Sequence, residues 1–124
     1  MADVVSKGAD GFVLTYYKLY DTQRHMLHKL YKEDAAILWN GNAFAGISSF
    51  KDSYLQLPPS VHEYQTYDAQ QVGDSSILVV VTGAVKLGDQ PQPRPFSQTF
   101  VLNPTIDADG KKVYLVGSDT FRFT

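Results

Sequence analysis

The sequence predicts an α+β domain, with helices at the front and a long antiparallel meander behind them that wraps the helices on one side. Three observations lead there. Phe12, Tyr16, Leu19 and Tyr20 recur at helical spacing within Gly11–Tyr20. Asn40-Gly41 is the dipeptide that supplies two positive-φ positions to a type I′ hairpin turn. From residue 61 onward the signals are all β, in alternating or β-branched runs separated by turn residues. At 124 residues the chain is expected to be one domain, 1–124, long enough to bury a substantial core.

The elements follow in order. Asp21 is read as the N-cap of a second short helix that carries Met26, Leu27 and Leu30 on one face. Ala35–Trp39 is a strand, Asn40-Gly41 its turn and Ala43–Ala45 the return strand. Ser48–Leu57 is a third helix, stopped by Pro58-Pro59. Val61–Val72 is a long strand of mixed polarity, turned by Gly73–Ser76. Ile77–Lys86 is a β-branched run, and the Pro-rich stretch Gly88–Pro95 is a loop. Phe96–Leu102 alternates, Asn103–Gly110 turns, and Val113–Phe123 alternates again.

Composition excludes several classes of function. Eleven basic against thirteen acidic residues leave a formal charge of −2, which argues against direct nucleic-acid binding, since that needs clustered Lys and Arg. With no Cys there is no disulfide, thiolate metal site or cysteine nucleophile. No apolar run approaches the roughly 20 residues of a membrane helix. Met1–Asp10 shows no apolar signal-peptide core, so an intracellular domain is expected.

Strand parity sorts the sheet into two faces. In the last strand Leu115, Phe121 and Phe123 share the face expected on the helices, and Tyr114, Val116, Ser118, Thr120 and Arg122 share the other. Ile77–Val81 is apolar on both faces, because Leu78 and Val80 alternate with Ile77, Val79 and Val81. A sheet covered on one side alternates apolar and polar instead. Two readings stand side by side: another subunit covers the second face, or two outward aliphatics are an ordinary feature of a central strand. Arg122 is open in the same way. It either meets a carboxylate at the centre of an interface, or is a solvated Arg near the chain end.

Other candidates for chemistry are weaker. Asp107-Ala-Asp109-Gly110 resembles the start of a calcium loop, but Ser118 stands where the bidentate Glu belongs, and an Asp-Gly turn is the better reading. His25 and His28 share a helix face, yet neither they nor His62 have the partners of a metal site; surface histidines are expected, and no metal or cofactor. No phosphate-binding glycine run or nucleophile elbow occurs. Asp68, Asp119 and Tyr16-Tyr17 raise the possibility of a pocket for proton abstraction beside a carbonyl. The commoner alternative is that Asp119, on the core face, simply accepts hydrogen bonds from backbone or Tyr groups.

Together these residues resemble the nuclear transport factor 2 family, most closely the NXT-type small subunit of the TAP-type mRNA export receptor. The resemblance runs nearly end to end. It is carried by Tyr16-Tyr17, Leu30-Tyr31, Leu38-Trp39-Asn40-Gly41-Asn42-Ala43, Leu57-Pro58, Asp68-Ala69-Gln70 and Leu78-Val79-Val80-Val81. Gly83-Ala84-Val85-Lys86, Phe96-x-Gln98-x-Phe100 and Ser118-Asp119-x-Phe121-Arg122-Phe123 complete it. It implies three helices packed in a strongly bent antiparallel sheet, a cone-shaped nuclear transport factor 2-like fold. It also implies a non-enzymatic adaptor that pairs sheet against sheet with the large receptor and, as that heterodimer, meets Phe-Gly nucleoporins. The expected location is nucleus and nuclear pore, with shuttling to the cytoplasm. In that family the Arg of Phe-Arg-Phe, here Arg122, pairs with an Asp of the large subunit. Parity then gives Val80, Thr99, Ser118, Thr120 and Arg122 as the partner-binding set, with no catalytic residue. The transport factor itself binds Ran-GDP, but there a Glu follows the Trp where this chain has Asn40, and its acidic loop is reduced here to Asp89. Ran-GDP is therefore not the expected partner. The same fold also serves ketosteroid isomerases and scytalone dehydratases, which keeps a pocket enzyme as a minority alternative.

Overall fold

The computed structural model describes residues 2–124 in backbone, and side chains from Val5 onward. Helix α1 (Ala2–Thr22) leads into a 3-10 segment (Arg24–Leu30) and strand β1 (Tyr31–Trp39). Then come β2 (Asn42–Ala45), α2 (Ile47–Tyr54), β3 (Ser60–Val72), β4 (Ser76–Leu87), β5 (Arg94–Ile106) and β6 (Lys112–Phe123). One curled six-stranded sheet holds them all, in the order β2-β1-β6-β5-β4-β3. Its pairings are antiparallel except β1 beside β6, which run parallel. Three helices against a curled sheet is the α+β architecture expected.

Helix α1 begins before Gly11 because its apolar stripe does: Ala9 and Val13 continue the line of Tyr16, Tyr17 and Tyr20, and all five are buried. Against this stripe the sheet presents Val79, Val81, Phe96, Phe100 and Leu102. Phe100 meets Phe12 and Tyr16 edge-on, with ring centroids 4.8 Å apart in both pairs. The fully buried Phe100 contributes about 1.5–3 kcal/mol over an exposed ring. None of the described helices is long and apolar enough to cross a membrane.

Several boundaries differ from expectation, each for a physical reason. Asp21 lies inside α1 and caps nothing; the residue before the 3-10 segment is Gln23. Helix α2 ends at Tyr54, and the chain reaches Pro58 through turn bonds such as Leu57 N–H to Tyr54 O at 3.2 Å. Strand β5 runs through Asn103 and Pro104 to Ile106, so the turn shrinks to the residues around Asp107–Gly110. Beyond Leu102, β5 pairs with β6 alone, and such a free edge tolerates proline. At Asn40-Gly41 the turn is as expected, with φ of 48° and 83°.

The parity of β6 also needs correction. Val101 pairs with Ser118 but Leu102 with Val116, so Gly117 is an extra residue in the ladder. This bulge flips the strand's first half. Val116 is buried and Tyr114 packs on the core, while Leu115 leaves the face it was assigned. Beyond the bulge the expected parity holds: Asp119 and Phe121 are buried, and Thr120 and Arg122 are exposed.

Candidate partner-binding face

The sheet order brings the outward residues of distant strands into continuous rows. One row runs Asp68, Val80, Thr99, Thr120, Leu38, Ala43 across all six strands. The next runs Gln70, Leu78, Val101, Ser118, Ala36, Ala45. A shorter third row is Thr66, Thr82, Ser97, Arg122. Val80, Thr99 and Thr120 are therefore consecutive neighbours, with Ser118 and Arg122 in the flanking rows. All five sequence-derived residues share this outer face.

The face is poor in charge. Its middle is Val, Leu, Ala, Thr and Ser, and the charges in the three rows are Asp68 at the β3 edge and Arg122. Arg122 is exposed and opposes Ser97. No carboxylate of the described residues lies within 4.0 Å of it. The positions that parity alone did not assign are Ala36, Leu38, Ala43 and Ala45. They join the face because β1 lies beside β6, a parallel pairing with no local signal in the sequence.

The inner face holds Tyr16, Tyr17 and Asp119, the residues from which a pocket could be built. Asp119 is 1% exposed, and both its oxygens are engaged. The Tyr31 hydroxyl donates to Oδ2 at 2.5 Å and the Gln98 amide to Oδ1 at 2.9 Å. Tyr17 donates to Gln98 Oε1 at 2.7 Å, and Tyr16 lies 2.7 Å from Tyr31, hydroxyl to hydroxyl. Burial pushes the Asp119 carboxyl up to about 6, against the bonds from Tyr31 and Gln98 that favour its charged form. Burial, and next the Asp119 charge, raise the hydroxyls of Tyr16, Tyr17 and Tyr31 well above their ordinary value. Tyr16, Tyr17 and Asp119 thus meet as a closed structural network. Asp68 sits on the opposite face, exposed, and takes no part.

A second network was not legible in the sequence. His62 is not a surface histidine: its side chain is 4% exposed and its Nδ1 lies 2.6 Å from Asp21 Oδ1. Asp21 also accepts from Ser60 Oγ–H and from the His62 backbone N–H, both at 2.7 Å. Burial alone would raise Asp21, but the bonds from His62 and Ser60 outweigh it and hold the carboxyl below its ordinary value. These contacts pin the end of α1 to the start of β3. Asn40 has a structural task as well. Its Oδ1 accepts the Phe123 backbone N–H at 2.8 Å, tying the hairpin turn to the last strand.

The nuclear transport factor 2 (NTF2) domain matches residues 8–123, and the chain belongs to that family. It is 35% identical over 123 residues to NTF2-related export protein 1 of Bos taurus, covering 94% of this chain and 86% of the relative. It is 38% identical over 117 residues to nuclear transport factor 2 of Davidiella tassiana, covering 92% and 90%. Among solved structures it resembles a chain of the C. albicans Mtr2-Mex67 M domain complex. That match has a TM-score of 0.76 and 16% identity, and it covers 97% of this chain and 96% of that one. At that identity the likeness is one of fold.

Proposed function

We propose that this chain is a single-domain, non-enzymatic adaptor for mRNA export. In this reading it heterodimerises through its outer sheet face with a large TAP-type export receptor. The complex, rather than this chain alone, meets Phe-Gly nucleoporins and moves between nucleus, pore and cytoplasm. The observation that carries the reading is the outer face itself. Rows of apolar and small hydroxyl side chains surround Arg122, which has no carboxylate of its own among the described residues. Val80, Thr99, Ser118 and Thr120 form the contact floor, and Arg122 supplies the directional bond. The likeness to an NTF2-related export protein over most of both chains supports it. The Asp119 network speaks against a pocket enzyme, because the carboxylate is 1% exposed and already bonded within the core to Tyr31 and Gln98.

A second reading, a Ran-GDP carrier, is favoured by the comparable identity to nuclear transport factor 2 of D. tassiana. Against it, Asn40 is neutral and its carbonyl oxygen is committed to Phe123. Sedimentation and calorimetry with two purified partners separate the readings. The nuclear transport factor 2-like domain of a large receptor should form a 1:1 complex that buries more than about 1,000 Å². Ran-GDP at physiological salt should bind weakly or not at all. Micromolar or tighter affinity for Ran-GDP, with none for the receptor domain, would reverse the assignment.

A further inference from the structure

The outer face is not uniformly filled. Over β4 and β5 it carries Leu78, Val80, Thr99 and Val101, whereas over β1 and β2 the same rows continue as Ala36, Leu38, Ala43 and Ala45. The change from mostly branched side chains to three alanines beside Leu38 leaves a hollow of about 740 Å³ between β6 and β2, with Ser118 and Thr120 on its wall. Its floor bears no charge. Its charges are two successive carboxylates, Glu33 and Asp34, both exposed. The one ion pair among the described residues is His62 with Asp21, so neither rim carboxylate has a basic partner within 4.0 Å. Strand β2, which closes the hollow, is an edge strand of sequence Asn-Ala-Phe-Ala, without the Lys or Pro that normally guards an exposed edge.

We propose that this hollow is an anchor pocket: it receives an apolar side chain, flanked by Lys or Arg, from the partner domain that covers the outer face. The proposal rests on the reading of that face as a partner surface. It adds where the partner's largest apolar contact falls and what charge surrounds it. The argument for this occupant is complementarity. An uncharged floor of alanine methyls and the exposed Leu38 gains from burying a bulky apolar group, and interface energy concentrates where such a group fills a pocket. A rim of two unpaired carboxylates repels an acidic segment and attracts a basic one. The hollow adjoins Ser118 and Thr120, so its occupant and the group meeting Arg122 would belong to one continuous contact.

The test uses the full chain and the purified large-receptor domain. Ala45→Trp fills the hollow from an exposed edge position, and Glu33→Lys with Asp34→Lys reverses the rim. Asp89→Lys with Asp109→Lys, both in exposed turns away from the face, is the charge-matched control. Circular dichroism melts confirm that each variant is folded. Ala45→Trp should weaken receptor binding about 10-fold or more, as expected for blocking an anchor site. The rim reversal should weaken it about 10-fold at low salt, with the gap to wild type narrowing as salt rises. The control should bind as wild type does. If wild type binds the receptor while Ala45→Trp and the rim variant bind equally well, the pocket proposal is wrong and the partner-face reading survives. A loss with Ala45→Trp but none with the rim variant overturns the basic flank. If the chain alone sediments as a dimer that Ala45→Trp dissociates, the occupant is a second copy and the proposal fails. Wild type failing to bind the receptor at all removes the partner-face reading and the proposal with it.

Discussion

The Tyr31 hydroxyl donates to Asp119 Oδ2 across 88 positions of sequence, inside the aromatic core. Asp119 is fully buried, and burial lifts its carboxyl from 3.8 to about 6. Between those two values the folded chain holds a proton that the unfolded chain has released, so stability falls as pH rises through this window. The contribution is complete below about pH 4 and gone above about pH 6. A shift of this size corresponds to about 3 kcal/mol. Asp21, held below its ordinary value, acts the other way: its contribution is present above that value and lost as pH falls. Comparing wild type with Asp119→Asn isolates the first effect. Urea melts from pH 4 to pH 6 should show wild type losing stability relative to the variant. Parallel curves would mean that Asp119 does not titrate there.

Two glycines in the sheet should differ in what they tolerate. At Gly83, opposite the β3 bulge, a Cβ would overlap the Glu63 carbonyl oxygen and lie 2.7 Å from the Tyr64 Cα. Backbone cannot step aside, so Gly83→Ala should cost about 3 kcal/mol. At Gly117 a Cβ would overlap the end of the Asn103 side chain, which can swing away but then loses its 2.8 Å bond to Ser76 Oγ. Gly117→Ala should cost about 1–2 kcal/mol, the scale of one bond and a small repacking. Adding Asn103→Ala to it should cost less than the two single changes summed. Chemical denaturation of wild type and the four variants checks both statements.

Arg24 holds the segment between α2 and β3. Its guanidinium donates to the Leu57 carbonyl at 2.6 Å, the Pro58 carbonyl at 2.9 Å and Ser60 Oγ at 2.9 Å, with a longer bond to the Tyr54 carbonyl at 3.3 Å. A planar fork reaches all of these at once, and an ammonium does not. Arg24→Lys should therefore recover little of what Arg24→Ala loses, about 1–3 kcal/mol. Hydrogen exchange should localise the loss to residues 55–60. Full recovery by Lys would show that charge, not geometry, is what the site uses.

What was legible in the sequence is what neighbouring residues decide. Asn40-Gly41 reads as a turn because two positive-φ residues specify one locally. Thr120 and Arg122 point outward because alternation from Phe121 requires it. Parity failed at Leu115 and Val116, since a glycine within a strand pattern does not reveal whether it pairs or bulges, and Gly117 bulges. The partners of Asp119 and Asp21 were hidden for a different reason. Tyr31, Gln98 and His62 lie 88, 21 and 41 residues from the carboxylates they serve. Only the folded sheet brings them together. The same holds for the alanine hollow, which exists because β1 runs beside β6.

Arg122 provides the sharpest test of the proposed interface. It lies two residues from the end of the chain, yet its strand is not frayed: the neighbouring Phe123 N–H is held by Asn40 and its ring packs on the core. The guanidinium is thus displayed from a fixed backbone. Around it Ser97, Thr120 and Ser118 are small, which leaves room for a carboxylate from another chain. Once covered, that pair would be desolvated, and removing one member would leave the other buried without a partner. Arg122→Ala should therefore weaken binding to the large-receptor domain by about 2–5 kcal/mol, mostly through faster dissociation. Arg122→Asp should be worse, because two carboxylates would then face each other. Exchanging the charges, with Arg placed at the partner's Asp, should recover part of the loss. The isolated chain should melt as wild type does in each case, since the Arg122 side chain is exposed. Calorimetry reads the affinities, and equal binding by Arg122→Asp and wild type would show that this residue does not make the pair.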